Sequence, residues 1–218
     1  MRNLPMRRTT ALVRRGFTLI ELLAVILIIS ILVATLTPMV TDAIRASRVA
    51  GCAANLRSIY AGLQMYYMKY KTMPTGSGVK FFAAVISREA IENSKSNAEK
   101  LTCPGVDKSA LAIGTLPWEE WWSDLERVDG TYSAYAGRDV KRFPLREWPP
   151  SGREPLIADD NDGGPNHGTT TNVLYGDNSV QTFELVELKE QGKVDKEETS
   201  VRVGADSPVE DLAKLSLD

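Results

Sequence analysis

At residues 17–36 the sequence reads FTLIELLAVILIISILVATL, twenty residues in which Glu21 carries the only charge. At a rise of about 1.5 Å per residue, a helix of this length spans about 30 Å, the thickness of the hydrocarbon core of a bilayer. An ordinary secretory signal has a shorter apolar region, of about 7–15 residues. The stretch therefore predicts a membrane-spanning helix.

The preceding segment, residues 1–16, contains five arginines and no acidic residue. Such a basic flank favours a cytoplasmic amino terminus. A plain signal anchor fits this charge pattern and the length of the apolar run. It leaves Glu21 unexplained, because a carboxylate within a spanning segment is costly and usually has a partner. It also gives no reason for Gly16 directly before the run.

Residues 15–21, RGFTLIE, closely resemble the processing site of type IV prepilins and type II secretion pseudopilins. In that family a membrane peptidase cuts after the glycine and methylates the new amino-terminal phenylalanine. The resemblance implies that Gly16 ends a leader and that N-methylated Phe17 begins the mature chain. The new amine would then be the counter-ion for Glu21 of an adjacent subunit.

Glu21 also has a simpler explanation. Taken alone, it fits a glutamate in the first turn of a helix, where the helix dipole favours a negative charge. Pro38 lies where many of these pilins have a proline, and it removes a helical hydrogen bond, so the helix can kink or locally melt there.

Beyond Pro38 the helical pattern continues with one apolar face up to the Met73-Pro74-Thr75-Gly76 segment. Apolar residues recur every three or four positions, at Val49, Cys52, Leu56, Ile59, Leu63, Tyr66 and Tyr70. A long helix over about residues 17–70 is predicted, and its second half needs a surface to pack on.

The remaining sequence predicts an α+β head: a short helix over 81–91 and a three- or four-stranded antiparallel sheet packed on the long helix. Asp177-Asn178 suits a tight hairpin. The predicted organisation is a cleaved basic leader (1–16), a transmembrane and assembly helix (17–38), its amphipathic continuation (39–73), the head (74–186), and a charged connector with a short terminal helix (187–218).

Three tryptophans, Trp118, Trp121 and Trp122, lie close together in the predicted head. They could form a contact patch for a partner, since tryptophan is enriched at interface hot spots. The interpretation we prefer is that they cover the core of the head or a neighbouring subunit.

His167 and Asp177 are separated by nine residues. The pattern resembles a carboxy-terminal signature of many prepilin-processed proteins, a histidine, nine residues and Asp-Gly, although Asn178 replaces the glycine here. We expect a structural hydrogen bond from His167 rather than a catalytic dyad, because a strand after it would carry Asp177 away.

The acidic loop Asp159-Asp160-Asn161-Asp162 is followed by two glycines. Asp159, Asp160 and Asp162 are candidate calcium ligands, since calcium accepts 6–8 oxygens, and major pseudopilins are known for a calcium site in a carboxy-terminal loop. A solvated turn is the alternative.

Cys52 and Cys103 are the only thiols. Outside the cytoplasm a disulfide between them could persist. It would close a loop of about 50 residues and stabilise the folded state by ~4 kcal/mol in the chain-entropy model. Independently buried thiols are the alternative, and the disulfide is slightly favoured.

The composition limits the function. With 26 basic and 28 acidic residues there is no direct sign of nucleic-acid binding, and one histidine excludes mechanisms that need two. We expect no enzymatic activity and no required cofactor. The resemblance implies a pilin or pseudopilin, a minor one for example, in a type IV pilus-like or type II secretion filament.

The expected partners are the prepilin peptidase, other pilin or pseudopilin subunits and a membrane assembly platform. The expected location is the bacterial inner membrane, crossed once, with a periplasmic or extracytoplasmic head and later a periplasmic or cell-surface filament. A processed, membrane-anchored binding module that does not polymerise is the main alternative. An exported enzyme on the same anchor is the other.

Overall fold

The computed structural model describes residues 17–150, 152–159 and 167–218. The chain divides between residues 43 and 44 into two compact units. In the first unit, the described residues belong almost entirely to the amino-terminal part of helix α1 (Leu19–Tyr70). The second unit, residues 44–218, is called the globular unit below.

Helix α1 ends in the globular unit and is buried there along one face. Cys52, Leu56, Ile59 and Leu63 lie on that face with almost no exposure, at the spacing that the sequence predicted. The Tyr60 hydroxyl donates to the carbonyl oxygen of Gly176 over 2.9 Å. The amphipathic half of the long helix therefore packs on the rest of its own chain.

The other regular elements follow in chain order. Helices α2 (Val79–Ser87) and α3 (Lys95–Lys100) come first, followed by four short 3-10 turns between residues 108 and 132. The remaining elements are β1 (Tyr135–Arg138), β2 (Pro155–Asp159), β3 (Thr170–Tyr175), β4 (Val180–Glu184), α4 (Leu185–Glu190), α5 (Glu210–Ala213) and β5 (Leu215–Ser216).

The strands form one antiparallel sheet in the order β4-β3-β2-β1-β5. The predicted α+β class is confirmed, with five strands in the described residues rather than three or four. The Asp177-Asn178 hairpin joins β3 to β4, and Asn178 adopts a positive φ of 65°. Asparagine tolerates this left-handed conformation, which explains why the turn forms without the expected glycine.

Both faces of the sheet are covered, which explains the full burial of β2 and β3. Tyr135, Ile157 and Leu174 face the core shared with α1 and α2. Ala136 and Ala158 belong to a second core. Because both faces are covered, neither β2 nor β3 shows the alternation of apolar and polar residues that marks a strand with one exposed face.

The second core is built largely from the carboxy-terminal residues. Its members from this region are Leu185, Leu188, Val194, Val201, Val209, Leu212 and Leu215. Strand β5 pairs with β1, and the predicted short terminal helix is α5, four residues long. Residues 187–218 therefore belong to the globular unit instead of forming a connector beside it, because a few widely spaced apolar residues among the charges anchor them.

The tryptophans lie in and over the main core, in agreement with the preferred interpretation. Trp122 is completely buried and its indole N–H donates to the carbonyl of Ala98 over 3.0 Å. Trp121 is 8% exposed, and its N–H donates to the carbonyl of Leu116. Trp118 is partly buried against the same core.

We expect Trp122→Ala to lower the free energy of unfolding by about 3–5 kcal/mol, the usual cost of emptying a large buried aromatic site. Trp118→Ala is the matched control and should cost clearly less, because its side chain is only half-buried. Denaturant unfolding of the detergent-solubilised protein, followed by the remaining tryptophans, measures both. Equal losses in the two variants would contradict this ranking.

Candidate functional site

The amino-terminal end of α1 is closed by a reciprocal pair of side chains. One carboxylate oxygen of Glu21 accepts from the backbone N–H of Thr18 over 2.9 Å and from its hydroxyl over 2.8 Å. The Thr18 hydroxyl accepts from the backbone N–H of Glu21 over 3.3 Å. This arrangement is a capping box, so Glu21 has a local role in addition to any role between subunits. Phe17 is 80% exposed, and Gly16 lies outside the described residues.

The surface of α1 in the first unit is apolar on all sides. Its large side chains from Leu19 to Val40 are about half or more exposed. By length and composition, α1 is the one helix in the described chain that could cross a membrane. Such a continuous apolar surface is not stable in water and requires lipid or apolar partners.

Pro38 lies inside α1, and the helix continues through it from Leu19 to Tyr70. Neighbouring hydroxyls bond to the backbone on both sides of the proline. Thr37 donates to the carbonyl of Val33 and Thr41 donates to that of Pro38, each over 2.7 Å. Proline cannot donate its own helical hydrogen bond, so this turn is the weak point of the helix, although it is helical here.

A separate cluster of polar side chains is buried in the globular unit. It consists of Cys52, Cys103, Asp159 and His167 and is called the Cys–His–Asp cluster below. One ligand-capable atom from each residue lies within 4.8 Å of those from the other three. All four side chains are buried. The sequence had singled out each residue, but for three different reasons.

The cluster joins four segments that are distant in the sequence. Cys52 projects from α1, and Cys103 follows α3. Asp159 is the last residue of β2, and His167 lies just before β3. Because β2 and β3 are neighbouring antiparallel strands, the last residue of β2 and the residues before β3 lie at the same end of the strand pair.

Hydrogen bonds connect the four side chains. The Cys52 thiol donates to Asp159 Oδ1 over 2.7 Å, and Cys103 Sγ lies 3.1 Å from His167 Nε2. His167 Nε2 is also 3.5 Å from Asp159 Oδ2. The functional atoms therefore converge on one point.

The electrostatics of the cluster follow from burial and from these contacts. Burial disfavours a charged imidazole, but hydrogen bonds with Asp159 and Cys52 outweigh it and raise the pKa of His167 to about 9. Burial raises the pKa of the Cys52 thiol well above its usual range. Burial therefore favours the neutral thiol of Cys52.

Backbone groups surround the cluster. The N–H of Gly105 donates to Cys103 Sγ over 3.2 Å, and the N–H of Asn172 donates to Asp159 Oδ2 over 3.0 Å. The hydroxyl of Tyr135 is fully buried beside Cys52 and has no partner at normal hydrogen-bond geometry among the described residues. Buried polar groups without a partner are unusual and call for an explanation.

The structure bears on the predicted disulfide. Cys52 and Cys103 are brought together, as a disulfide would require, but both are free thiols here. Each sulfur has another polar partner here, Asp159 for Cys52 and His167 for Cys103. The disulfide stays a prediction.

The predicted calcium ligands are only partly described. Asp160 and Asp162 lie outside the described residues, so a calcium site in the acidic loop stays a prediction. Asp159 is completely buried, and its two oxygens accept from Cys52 and from the N–H of Asn172. It therefore belongs to the Cys–His–Asp cluster rather than to an exposed oxygen-rich loop.

The two residues of the carboxy-terminal signature have different partners. His167 belongs to the cluster, whereas Asp177 is exposed in the hairpin turn and accepts from the hydroxyl and from the backbone N–H of Ser179, over 2.5 and 2.9 Å. These hydrogen bonds with Ser179 hold the pKa of Asp177 below its ordinary value. Asp177 stabilises the turn, and the two residues do not form a dyad in this structure.

Comparison with known proteins gives one finding at the amino terminus. A family model described as the prokaryotic N-terminal methylation motif matches residues 13–37. Comparisons with curated proteins and with solved structures gave no match. The matched family is structural and pilin-like, and its motif implies processing by a prepilin peptidase. The methylation motif and the long apolar helix together fit a prepilin-type protein.

Proposed function

We propose that this protein is a structural subunit of a type IV pilus-like or type II secretion filament. It is cleaved between Gly16 and Phe17, N-methylated at Phe17, and assembled through the amino-terminal part of α1. Before assembly, that segment anchors it in the inner membrane with the globular unit on the extracytoplasmic side.

One observation carries this proposal. The part of α1 from Leu19 to Val40 presents apolar side chains in every direction. A surface of this kind can be covered by lipid before assembly and by the same helices of other subunits afterwards. The methylation motif at residues 13–37 supports a move of this helix from the lipid into a filament, because processing would create a new amine beside the apolar run.

Analysis of protein recovered from native membranes tests this proposal. We expect the amino-terminal residue to be N-methyl-Phe17, and filaments containing the protein to be visible by electron microscopy. The matched control is Gly16→Leu, which leaves the apolar run intact and should retain the complete leader. An intact Met1 in the wild type would contradict processing. A processed protein that stays monomeric in the membrane would favour the non-polymerising binding module.

A further inference from the structure

We propose that the Cys–His–Asp cluster binds one zinc ion inside the globular unit. This inference does not depend on whether the chain polymerises.

The donor set fits zinc. Zinc takes four ligands in tetrahedral geometry from cysteine sulfur, histidine nitrogen and carboxylate oxygen. Tetrahedral sites with bond lengths of about 2.0–2.3 Å have neighbouring ligand atoms about 3.3–3.8 Å apart. In the cluster, Cys52 Sγ lies 2.7 Å from Asp159 Oδ1, and His167 Nε2 lies 3.1 Å from Cys103 Sγ and 3.5 Å from Asp159 Oδ2. No pair of ligand atoms is more than 4.8 Å apart, so the observed distances bracket the tetrahedral values. Only small side-chain shifts are needed to place one ion among the four residues.

Alternative cations fit less well. Calcium and magnesium prefer a shell of oxygens, which a pair of sulfurs and an imidazole cannot supply. Two thiolates with an imidazole are typical ligands for zinc. The buried position also excludes the many waters that magnesium usually keeps.

The groups around the cluster support the assignment independently of the four ligands. The Gly105 N–H donates to Cys103 Sγ, and the Asn172 N–H donates to Asp159. Donors to the ligand atoms orient them and stabilise their charged forms. The Tyr135 hydroxyl, which has no partner at normal hydrogen-bond geometry among the described residues, is a further donor beside the cluster. A hydroxyl buried next to thiolates would gain an acceptor that neutral thiols provide poorly.

Binding has a defined proton balance. Both thiols, and the imidazolium of His167 where it is charged, lose their protons to solvent, and His167 then binds through Nε2 in its neutral form. Two thiolates, one carboxylate and one imidazole surround the ion, and no atom changes its oxidation state. The ion would link α1 to the sheet through four segments. Its binding energy would contribute to the folding of the globular unit.

The test is the metal content of the full-length protein, purified from membranes in detergent with a tag that contains no histidine. Plasma mass spectrometry should find close to one zinc per chain. Cys103→Ser and His167→Ala should each reduce bound zinc at least tenfold. Asp177→Asn is the matched control, since it changes the other residue of the signature outside the cluster, and it should retain zinc.

A second measurement needs no variant and so does not depend on the variants folding. After the bound metal is removed from the wild-type protein by a chelator, one equivalent of Co²⁺ should produce thiolate-to-cobalt charge-transfer absorption. One equivalent of Zn²⁺ should then abolish it. Ca²⁺ at the same concentration should leave the cobalt absorption unchanged.

Three results would overturn the proposal. The first is a wild-type protein without stoichiometric zinc that also gives no cobalt spectrum. The second is recovery of Cys52 and Cys103 as a disulfide in peptide mass spectra of the native protein. The third is stoichiometric copper or iron in place of zinc.

Discussion

Gly137→Ala is expected to destabilise the globular unit by at least about 3 kcal/mol, at the upper end for an overpacked site. A Cβ at position 137 would lie 2.0 Å from the carbonyl oxygen of Gly78 and 2.8 Å from its carbonyl carbon. Both atoms belong to the backbone, so no side-chain rotation can relieve the overlap. The substitution must therefore separate the start of α2 from β1.

The surrounding contacts explain why this separation is costly. The N–H of Gly78 donates to the carbonyl of Arg138, and the N–H of Val79 donates to that of Leu217. Gly78 itself has a positive φ of 63°, and a Cβ there would meet the backbone of Asp218 at 2.6 Å. The chain before α2 thus lies directly on the β1–β5 edge of the sheet, which only a pair of glycines permits.

Gly51→Ala provides the matched control for this prediction. Gly51 lies within α1, and a Cβ there would meet one side-chain atom, of Pro104, at 3.4 Å. Alanine is favoured over glycine in a helix by about 1 kcal/mol, so this variant should be neutral or more stable. Denaturant unfolding followed by tryptophan fluorescence compares the two. Wild-type stability of Gly137→Ala would show that the close approach of β1 and Gly78 is not needed.

Glu21→Gln is expected to reduce filament assembly at least tenfold without preventing cleavage after Gly16. If Glu21 pairs with the amine of Phe17 on an adjacent subunit, the substitution leaves that amine buried without a counter-ion. Breaking a buried pair costs about 3–5 kcal/mol, and each 1.4 kcal/mol corresponds to about tenfold in affinity. Filaments recovered from cells, normalised to the processed protein in the membrane, give the measurement.

The capping box makes this experiment selective. Glutamine also closes a capping box, so the variant can keep the hydrogen bonds that Glu21 makes with Thr18. Thr18→Ala is the complementary control, because it removes the hydroxyl and keeps the carboxylate. We expect Thr18→Ala to assemble and Glu21→Gln to fail. The opposite result would mean that Glu21 acts through the helix end and not through its charge.

The sequence predicted the long helix almost to the residue, because its pattern is local. The apolar run and the following stripe every three or four residues need no other part of the chain to be recognised. The observed helix, Leu19–Tyr70, agrees with the prediction of about 17–70. The hairpin at Asp177-Asn178 was also predicted, since turn residues act over two positions.

The strands and the carboxy-terminal region were harder to predict. Strand β1 begins at Tyr135, after a 3-10 turn over Gly130–Tyr132. Strand β5 contains two residues, and its pairing with β1 depends on residues almost 80 positions away. Short strands covered on both faces carry little periodicity of their own, so their sequence contains no signal that fixes the partner.

The sequence by itself determined the long amino-terminal helix and identified the methylation motif at its start, because the motif, the apolar run and the proline are contiguous. It also identified Cys52, Cys103, Asp159 and His167 as candidates, but assigned them to a disulfide, an acidic loop and a structural hydrogen bond. Only the tertiary structure brought the four together. The convergence depends on how α1 packs against the end of β2 and the start of β3, and such long-range packing is not encoded in the spacing of any one motif.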